Sequence, residues 1–504
     1  MSVSTAFRLL FEPIELGPIR VRNRLMLTTH GGALPAGRYL RYLEARAAGG
    51  IGLVAVSGAQ AGVAHITSVA SRFIPSHAGD FDGTGPDPAT QAGIAHFDGT
   101  VTPMLRERAE AVHRHGAACV GQIFHLGSYR DSDGFRPSIA PSVVVDEEDR
   151  HLPHALDESE LERLVVAFGH AVRRVRDAGM DGAEIHCAHG FLLNEFLSPY
   201  SNRRQDRYGG SFENRLRLLR EVLDSAEAQA PGFPIGIRIN GDELVSGGLD
   251  PDGVAEIVGA LASRLVYVNV SGGNASGLRD GLRLAYSSPW LVKAEHNVAA
   301  AARIKARTSL PVVVAGRVLG AVQAERILER GEADLVGMVR PLIADPDLPR
   351  KSREGRLADI RPCLGQNECH GFHGTRGHLV CAVNAAAGRE EEFDVEPGRP
   401  GRRAAASRGH AAGAGARPGR PTALGRPAAG PRPRRGLRGL PAPPARGYGS
   451  RGPAGRGGDG RVDRGSRAGG GDRRDRLAAV PAGGSRNRVR PSPDGRRPPR
   501  RAQA

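Results

Sequence analysis

The sequence contains no apolar run of about 18 residues, and this lack predicts that no helix of the chain spans a membrane. Its N-terminal stretch MSVSTAFRLLFEPIELG has no basic segment followed by an apolar one, so we expect no secretory signal. Only five cysteines occur in 504 residues, which is typical of a cytoplasmic protein. These absences predict a cytoplasmic protein without a membrane partner.

Lysine and glutamate are absent from residues 401–504, which contain 26 arginines and five aspartates. This segment therefore carries +21, and since the whole chain carries +16, residues 1–400 carry −5. From about residue 397 the chain is almost entirely Gly, Ala, Arg and Pro, with no Ile, Phe, Met, Cys or Trp. Such a composition cannot bury an apolar core, so we expect a disordered basic tail over residues 396–504.

Residues 1–350 instead alternate short apolar runs with helical patterns. The predicted strands are Asn23–Thr29, Ile51–Gly58, Ala118–His125, Asp181–Cys187, Pro234–Asn240, Leu265–Gly272, Pro311–Arg317 and Ala333–Arg340. The predicted helices between them include Arg38–Ala48, Leu105–His115 and Ser159–Ala178. Continuously apolar strands are typical of a parallel sheet covered on both faces. The pattern predicts an α/β protein with a (β/α)8 TIM barrel. A doubly wound sheet is less favoured, because no glycine-rich dinucleotide fingerprint follows the first strand.

Polar side chains cluster where the predicted strands end, which is where barrels carry their functional groups. His186 lies near the end of the fourth strand and His189 in the loop after it. Gln122 lies near the end of the third strand and Arg238 in the fifth. The two imidazoles could ligate a metal, donate two hydrogen bonds to one oxygen, or simply bond to the backbone, and their spacing alone does not decide.

The seventh predicted strand ends at Arg317 and the eighth ends at Arg340. The loops after these strands often bind phosphate in TIM barrels, so the pair favours a phosphate site over simple pairing with carboxylates.

Three cysteines lie close together in the short segment 351–395 that follows the barrel. They are Cys363, Cys369 and Cys381, and they span 19 residues. This spacing indicates a metal or cluster site rather than disulfides, and residues 385–395 resemble a surface linker.

The stretch DGAEIHCAHGFLLNEFLSPYSNRRQDRYGGSFENR, residues 181–215, resembles the most diagnostic segment of the old yellow enzyme family of FMN-dependent oxidoreductases. Six further stretches resemble the family in the same order along the chain, so the resemblance covers residues 8–350. They are VRNRLML, EARAAGGIGLVAVSG, GQIFHLG, IGIRING, PVVVAGRV and ADLVGMVRPLIADPDLPRK. RPCLGQNECHG and CAVNAAAGREEEF resemble the larger bacterial branch, which includes 2,4-dienoyl-CoA reductase and trimethylamine dehydrogenase. In that branch a 4Fe-4S motif and an FAD/NAD(P)-binding domain follow the barrel.

The resemblance implies a role for each polar residue at the mouth. His186 and His189 would bind an electron-withdrawing oxygen of the substrate. The residues that would contact the FMN ring or its phosphate are Thr28 (with Thr29), Gln122, Arg238, Gly316, Arg317, Val339 and Arg340. The implied reaction is hydride transfer from FMN to an activated alkene, either an enone or an enoyl or dienoyl thioester, with NAD(P)H as electron donor.

Phe191 departs from the family, in which a tyrosine at this position often protonates the substrate. Either another group such as Tyr129 or solvent supplies the proton, or the enzyme is a dehydrogenase or demethylase of an amine or alcohol.

Gln366 also departs from the family pattern, because it stands where the second cluster cysteine is expected. Three cysteines with His370 or His373 could bind a 4Fe-4S cluster or zinc, or could remain free thiols.

No nucleotide-binding fingerprint begins the tail, and its composition is that of a GC-rich gene read out of frame. We hypothesise a frameshift near residues 395–402 that destroyed an FAD/NAD(P) domain, so FAD is not expected in this chain and a redox partner protein could supply electrons. The rival hypothesis is an inactive barrel whose Arg/Gly tail binds nucleic acid. Tyr448 is its only aromatic residue, so base stacking would be minimal and a nucleic-acid partner is not expected. We expect a small-molecule substrate and a homo-oligomer.

Overall fold

The computed structural model describes residues 7–30, 34, 36–56, 102–128, 138–144, 152–273, 278–279, 282–283, 288–369 and 379–393. The predicted disordered tail, Tyr129, His370 and His373 lie outside the described residues. Within these ranges, no helix is both long and apolar enough to cross a membrane.

Eight parallel strands close into a barrel, which confirms the predicted TIM-barrel fold. The strands are β1 Ile14–Leu16, β2 Ile19–Val21, β3 Leu25–Leu27, β4 Leu53–Val56, β5 Ala118–Ile123, β6 Ile139–Ala140, β7 His154–Ala155, β8 Gly182–Cys187, β9 Ile235–Asn240, β10 Tyr267–Ser271, β11 Leu278–Arg279, β12 Leu282–Arg283, β13 Val312–Ala315 and β14 Leu335–Met338. The barrel order is β3-β4-β5-β8-β9-β10-β13-β14, and β14 pairs with β3 to close it. Each barrel strand lies within one of the eight predicted runs.

Helices surround the barrel and follow its strands. They are α1 Ala36–Ala48, α2 Thr102–His113, α3 Glu158–Asp177, α4 Leu192–Leu197, α5 Phe212–Gln229, α6 Pro251–Leu261, α7 Val298–Lys305, α8 Ala321–Glu329, α9 Arg340–Ala344 and α10 Leu348–Arg353. Helix α3 begins at a capping box in which Asp157 and Glu160 satisfy each other's backbone N–H groups. Gly169 lets α3 approach α5 closely, because a Cβ at this position would lie 2.2 Å from Ser225 Oγ.

The barrel interior has its own small apolar core, distinct from the larger one between strands and helices. Leu16, Ile19 and Val21 of the antiparallel hairpin β1–β2 belong to this interior core together with Tyr267. A Cβ on Gly182, the first residue of β8, would lie 2.9 Å from Ile19, so the hairpin closes the amino-terminal end of the barrel. The opposite end, where the strands finish, is left for the polar side chains.

The segment after the barrel packs back onto it. Asn384 donates a hydrogen bond to the Ile343 carbonyl at 2.7 Å and is buried. Glu390 forms an ion pair with the fully buried Arg46 of α1 at 2.5 Å, and Glu392 bonds Arg38 at 2.7 Å. Part of the predicted surface linker is therefore held against α1 by charge-assisted hydrogen bonds.

Candidate active site at the mouth of the barrel

His186 and His189 come together at the carboxyl end of β8. Their ring centroids lie 4.9 Å apart with the rings perpendicular, and both side chains are about 3% exposed. His186 is the penultimate residue of the strand and faces inwards like Glu184, because alternate strand residues share a face. The two imidazoles therefore form one buried pair, as the sequence predicts.

Both imidazoles are neutral at physiological pH. Burial lowers the pKa of His186 well below its usual 6.5, and the charge of Arg238 lowers it further, whereas a hydrogen bond with the Arg238 backbone acts in the opposite direction. Burial and Arg238 likewise lower the pKa of His189, with a further contribution from His186. The Nδ1 atom of His186 accepts a hydrogen bond from the Ala188 N–H at 3.2 Å. A neutral imidazole has one donor and one acceptor, so the hydrogen of His186 is on Nε2.

Ser271 at the end of β10 connects His189 to Arg238. Its hydroxyl lies 2.8 Å from His189 Nε2 and accepts a hydrogen bond from Arg238 Nη2 at 3.3 Å. Arg238 is also the register partner of His186 across the β8–β9 pair and is 8% exposed. A guanidinium thus lies beside both imidazoles, and sequence reasoning missed the serine that links them.

Aromatic rings flank the histidine pair. Phe191 lies 5.1 Å from the His186 ring and 6.1 Å from the His189 ring. It stacks on Phe124, at 5.6 Å between centroids. Phe191 therefore belongs to the site, and it contributes an apolar surface where a tyrosine would contribute an acidic hydroxyl.

A polar layer lies beneath the histidines, inside the barrel. The Glu184 carboxylate is fully buried and accepts hydrogen bonds from Gln122 Nε2 at 2.6 Å, Tyr267 Oη at 3.0 Å and Asn269 Nδ2 at 2.9 Å. Since a carboxylate only accepts, Gln122 must direct its amide nitrogen at Glu184, and its carbonyl oxygen remains available as an acceptor. Only Gln122 of these four was predicted as a site residue.

Arg317 and Arg340 lie near each other, and within the described residues neither forms an ion pair with a carboxylate. Arg317 donates to the Val292 carbonyl at 2.6 Å, and Arg340 donates to Asn367 Oδ1 and the Ser288 carbonyl. Burial lowers the pKa of Arg340, and Arg317 also lowers it. Two neighbouring half-buried cations with neutral acceptors offer positive charge to an anion.

Other side chains near the arginines were not predicted from the sequence. Burial lowers the pKa of His296 to about 4, and Arg340 and Arg317 contribute to this shift, so its imidazole is neutral. Asn297 donates to the Ala315 carbonyl at 2.7 Å and fills the space beside Gly316, where a Cβ would lie 2.6 Å from Asn297 Nδ2.

The remaining predicted cofactor residues lie at the same end of the barrel. Thr28 is buried just after β3, and a Cβ on Gly337 would lie 2.6 Å from its methyl group. The hydroxyl oxygen of Thr29 is buried with no hydrogen-bond partner in the described part of the chain. Val339 is partly buried immediately before α9.

The three cysteines of the following segment line one pocket of about 320 Å³, open to solvent, together with Arg340 and Gln366. Burial raises the pKa of Cys369 to about 11. No group of three His, Cys, Asp or Glu residues in the described ranges is arranged to hold a metal ion. The structure therefore brings Cys363, Cys369 and Cys381 together in one pocket without the arrangement of a single-ion site.

Comparison with known proteins agrees with this architecture. The model of the NADH:flavin oxidoreductase / NADH oxidase family matches residues 84–359, more than half of the chain. The chain is 34% identical over 395 residues to the N,N-dimethylglycine/sarcosine dehydrogenase of Chromohalobacter salexigens, covering 76% of this chain and 54% of that protein. It is 32% identical over 398 residues to the multifunctional alkene reductase/demethylase OYE of Caballeronia cordobensis, covering 76% and 53%.

A solved structure of 2-naphthoyl-CoA reductase with 2-naphthoyl-CoA superposes with a TM-score of 0.64 at 25% identity, covering 76% of this chain and 58% of that one. The chain spans about half the length of the two curated relatives. The family expected from residues 181–215 is thereby confirmed. The chain belongs to the NADH:flavin oxidoreductase / NADH oxidase family, the old yellow enzyme family.

Proposed function

We propose that this protein is an FMN-dependent oxidoreductase that moves a hydride between the flavin and a small substrate whose oxygen is bound by His186 and His189. The observation that carries the proposal is the pair of neutral, buried imidazoles 4.9 Å apart, with the N–H of His186 on Nε2. Neutral N–H donors in a buried site stabilise negative charge that develops on an oxygen without attracting a resident anion.

The residues at the mouth fit FMN in their chemistry. Arg317 and Arg340 would hold its phosphate, since no carboxylate among the described residues pairs with them. Gln122, whose nitrogen bonds Glu184, would offer its carbonyl oxygen to an N–H of the flavin, and Arg238 would supply positive charge near the flavin. FMN supplies a ring nitrogen that donates or accepts hydride, and NAD(P)H is the proposed source of electrons.

The leading substrate is an activated alkene conjugated to a carbonyl group. Donors at the carbonyl oxygen favour hydride addition to the β-carbon because the negative charge then moves onto that oxygen. Each such donor is typically worth a factor of about 10²–10³ in rate. Phe124 and Phe191 would pack against the planar conjugated part of the substrate.

A second reaction, oxidation of an amine, is favoured by Phe191. Reduction of an alkene requires a proton for the α-carbon, and the phenyl ring that contacts both histidines has none to give. Oxidation of a C–H bond beside nitrogen needs no acid at this place. The relatives named above include an amine dehydrogenase and an enzyme described as both alkene reductase and demethylase.

The test is to reconstitute the purified chain with FMN and to measure two reactions anaerobically. One assay follows NAD(P)H oxidation with cyclohexenone, and the other follows dimethylglycine oxidation with an artificial electron acceptor. His186→Ala and His189→Ala should each lower the active reaction by about 10²-fold. Asn23→Ala is the matched control, since Asn23 is a buried polar residue at the other end of the barrel. Failure to bind FMN would contradict the proposal.

We further propose that the cysteine pocket binds an iron–sulfur cluster. Three thiols line it, one fewer than the four thiolates that such clusters usually take, so a fourth ligand of another kind is required. Iron and sulfide analysis of anaerobically purified protein should find iron, and Cys369→Ser should reduce it. Zinc without iron would support the structural-zinc alternative. If the analysis finds neither metal, the three cysteines are free thiols.

A further inference from the structure

The turn that carries His189 has an unfavourable backbone. His189 has φ of +66° and Gly190 has φ of +77°, so two consecutive residues are left-handed. Glycine adopts this conformation freely, but in a histidine the Cβ atom comes too close to the neighbouring carbonyl oxygen. Something outside the turn must therefore stabilise it.

Two asparagines from other elements bind the backbone of this turn. Asn240, the last residue of β9, accepts the His189 N–H at 3.1 Å through Oδ1. Asn194 of α4 accepts the Gly190 N–H at 2.7 Å through Oδ1. The same Asn194 oxygen accepts Asn240 Nδ2 at 3.2 Å, so the two amides are coupled.

Glu243 fixes the direction of both amides. Its carboxylate is 1% exposed and accepts Asn194 Nδ2 at 2.8 Å, the Ser198 hydroxyl at 2.6 Å and the Leu249 N–H at 2.6 Å. Burial raises the pKa of Glu243, although these three donors oppose the shift. Because the Gly190 N–H can only donate, Asn194 directs its oxygen at the turn and its nitrogen at Glu243, which accepts it.

The same constraint passes to Asn240. Its nitrogen must face the Asn194 oxygen, which leaves its own oxygen for the His189 N–H. Every amide nitrogen in this chain of contacts therefore points towards Glu243, and every amide oxygen points towards the histidine turn. An amide with reversed polarity would oppose one N–H to another.

We propose that Asn240, Asn194 and Glu243 are positioning residues that hold His189 in its left-handed turn, so that its ring stays perpendicular to that of His186. None of the three needs to touch substrate. The consequence for substrate binding rests on the proposed function, whereas the effect on the turn itself does not.

The experiment compares Asn240→Ala, Asn240→Asp and the control Asn23→Ala in the FMN-loaded full chain. Asn23 is also fully buried, and its amide bonds the Gly50 carbonyl at 2.9 Å far from the turn. Hydrogen–deuterium exchange of the peptide containing His189 and Gly190 reports the backbone. Calorimetric titration with 4-nitrophenol, whose phenolate oxygen suits two N–H donors, reports the paired rings.

We expect Asn240→Ala to accelerate exchange of the turn amides and to weaken 4-nitrophenol binding about tenfold, as expected for loss of one buried hydrogen bond. Asn240→Asp retains an acceptor for the His189 N–H but loses the donor to Asn194 Oδ1, so its exchange should be slower than that of Asn240→Ala and faster than that of the unsubstituted protein. Asn23→Ala should lower the melting temperature without changing either readout.

Turn exchange in Asn240→Ala that is no faster than in Asn23→Ala would overturn the inference. If the exchange accelerates while the unsubstituted protein binds no 4-nitrophenol, the positioning role stands and the proposed oxygen site fails. The two hypotheses are thus decided by separate measurements.

Discussion

Removal of the Arg340 side chain should weaken FMN binding without affecting riboflavin. Arg340→Ala deletes one of two neighbouring guanidinium groups that no carboxylate pairs with in the described part of the chain. Riboflavin has the same ring system as FMN but lacks the phosphate. A change at the phosphate site must therefore appear in the FMN affinity alone.

The expected size follows from the chemistry of the contact. A hydrogen bond to a charged group is worth about 1.5–3 kcal/mol, which corresponds to a factor of about 10–150 in the dissociation constant. Burial leaves the Arg340 cation poorly hydrated before the phosphate arrives, and the lowered pKa of Arg340 reflects this, so a measurable loss of FMN affinity is expected. For riboflavin the factor should be about one.

The assay is quenching of flavin fluorescence as apoprotein is added to FMN or to riboflavin. Arg303→Ala is the control, since Arg303 is 55% exposed and pairs with Asp252 on the surface. It should change neither affinity. Equal weakening of FMN and riboflavin by Arg340→Ala would show that the arginine supports the fold rather than the phosphate, and no weakening would place the phosphate elsewhere.

Three further results are expected. Phe191→Tyr supplies a hydroxyl beside both histidines and should raise the rate of cyclohexenone reduction at least about tenfold, whereas an unchanged rate would argue against an alkene as substrate. Because the folded-state pKa of His186 and of His189 is depressed, the unfolded chain binds more protons below pH about 6.5. The free energy of unfolding should then fall by up to about 1.4 kcal/mol per pH unit for each histidine as the solution is acidified. Denaturant titrations at several pH values measure this dependence. The same dependence of the unfolding free energy on pH in the double His→Asn variant would contradict this. Glu184→Gln replaces an acceptor of three hydrogen bonds and should release Gln122, lowering both the melting temperature and FMN affinity; unchanged FMN affinity would exclude this role for the carboxylate.

Much of the fold could be predicted because its signals are local. Most barrel strands lie in short apolar runs rich in Val, Ile and Leu that are buried on both faces, and this pattern is visible without knowledge of the strands they pair with. The hairpin Ile14–Leu16 and Ile19–Val21 was missed, because two strands of three residues carry too little periodicity to be recognised. Its role as a plug depends on meeting the starts of strands far along the chain, such as Gly182.

The residues of the candidate site also fall into those that the sequence revealed and those that only the structure revealed. Prediction placed His186, Arg238, Arg317 and Arg340 at one end of the barrel because the carboxyl ends of parallel strands meet at one edge. It did not identify Ser271, whose hydroxyl gains importance only by lying between His189 and Arg238. A serine at a strand end has no distinctive sequence signal.

The sequence by itself determined that the chain forms a parallel barrel of the old yellow enzyme family, with its histidines and arginines at one mouth. These properties follow from strand patterning and from a contiguous motif. Only the tertiary structure decided that the imidazoles are neutral, because their pKa depends on burial and on Arg238 from another strand. It also decided that Glu184 meets Tyr267 from 83 positions away and that Glu243 orients the amides behind His189. Hydrogen-bond direction and desolvation are properties of packed atoms, and no run of neighbouring residues encodes them.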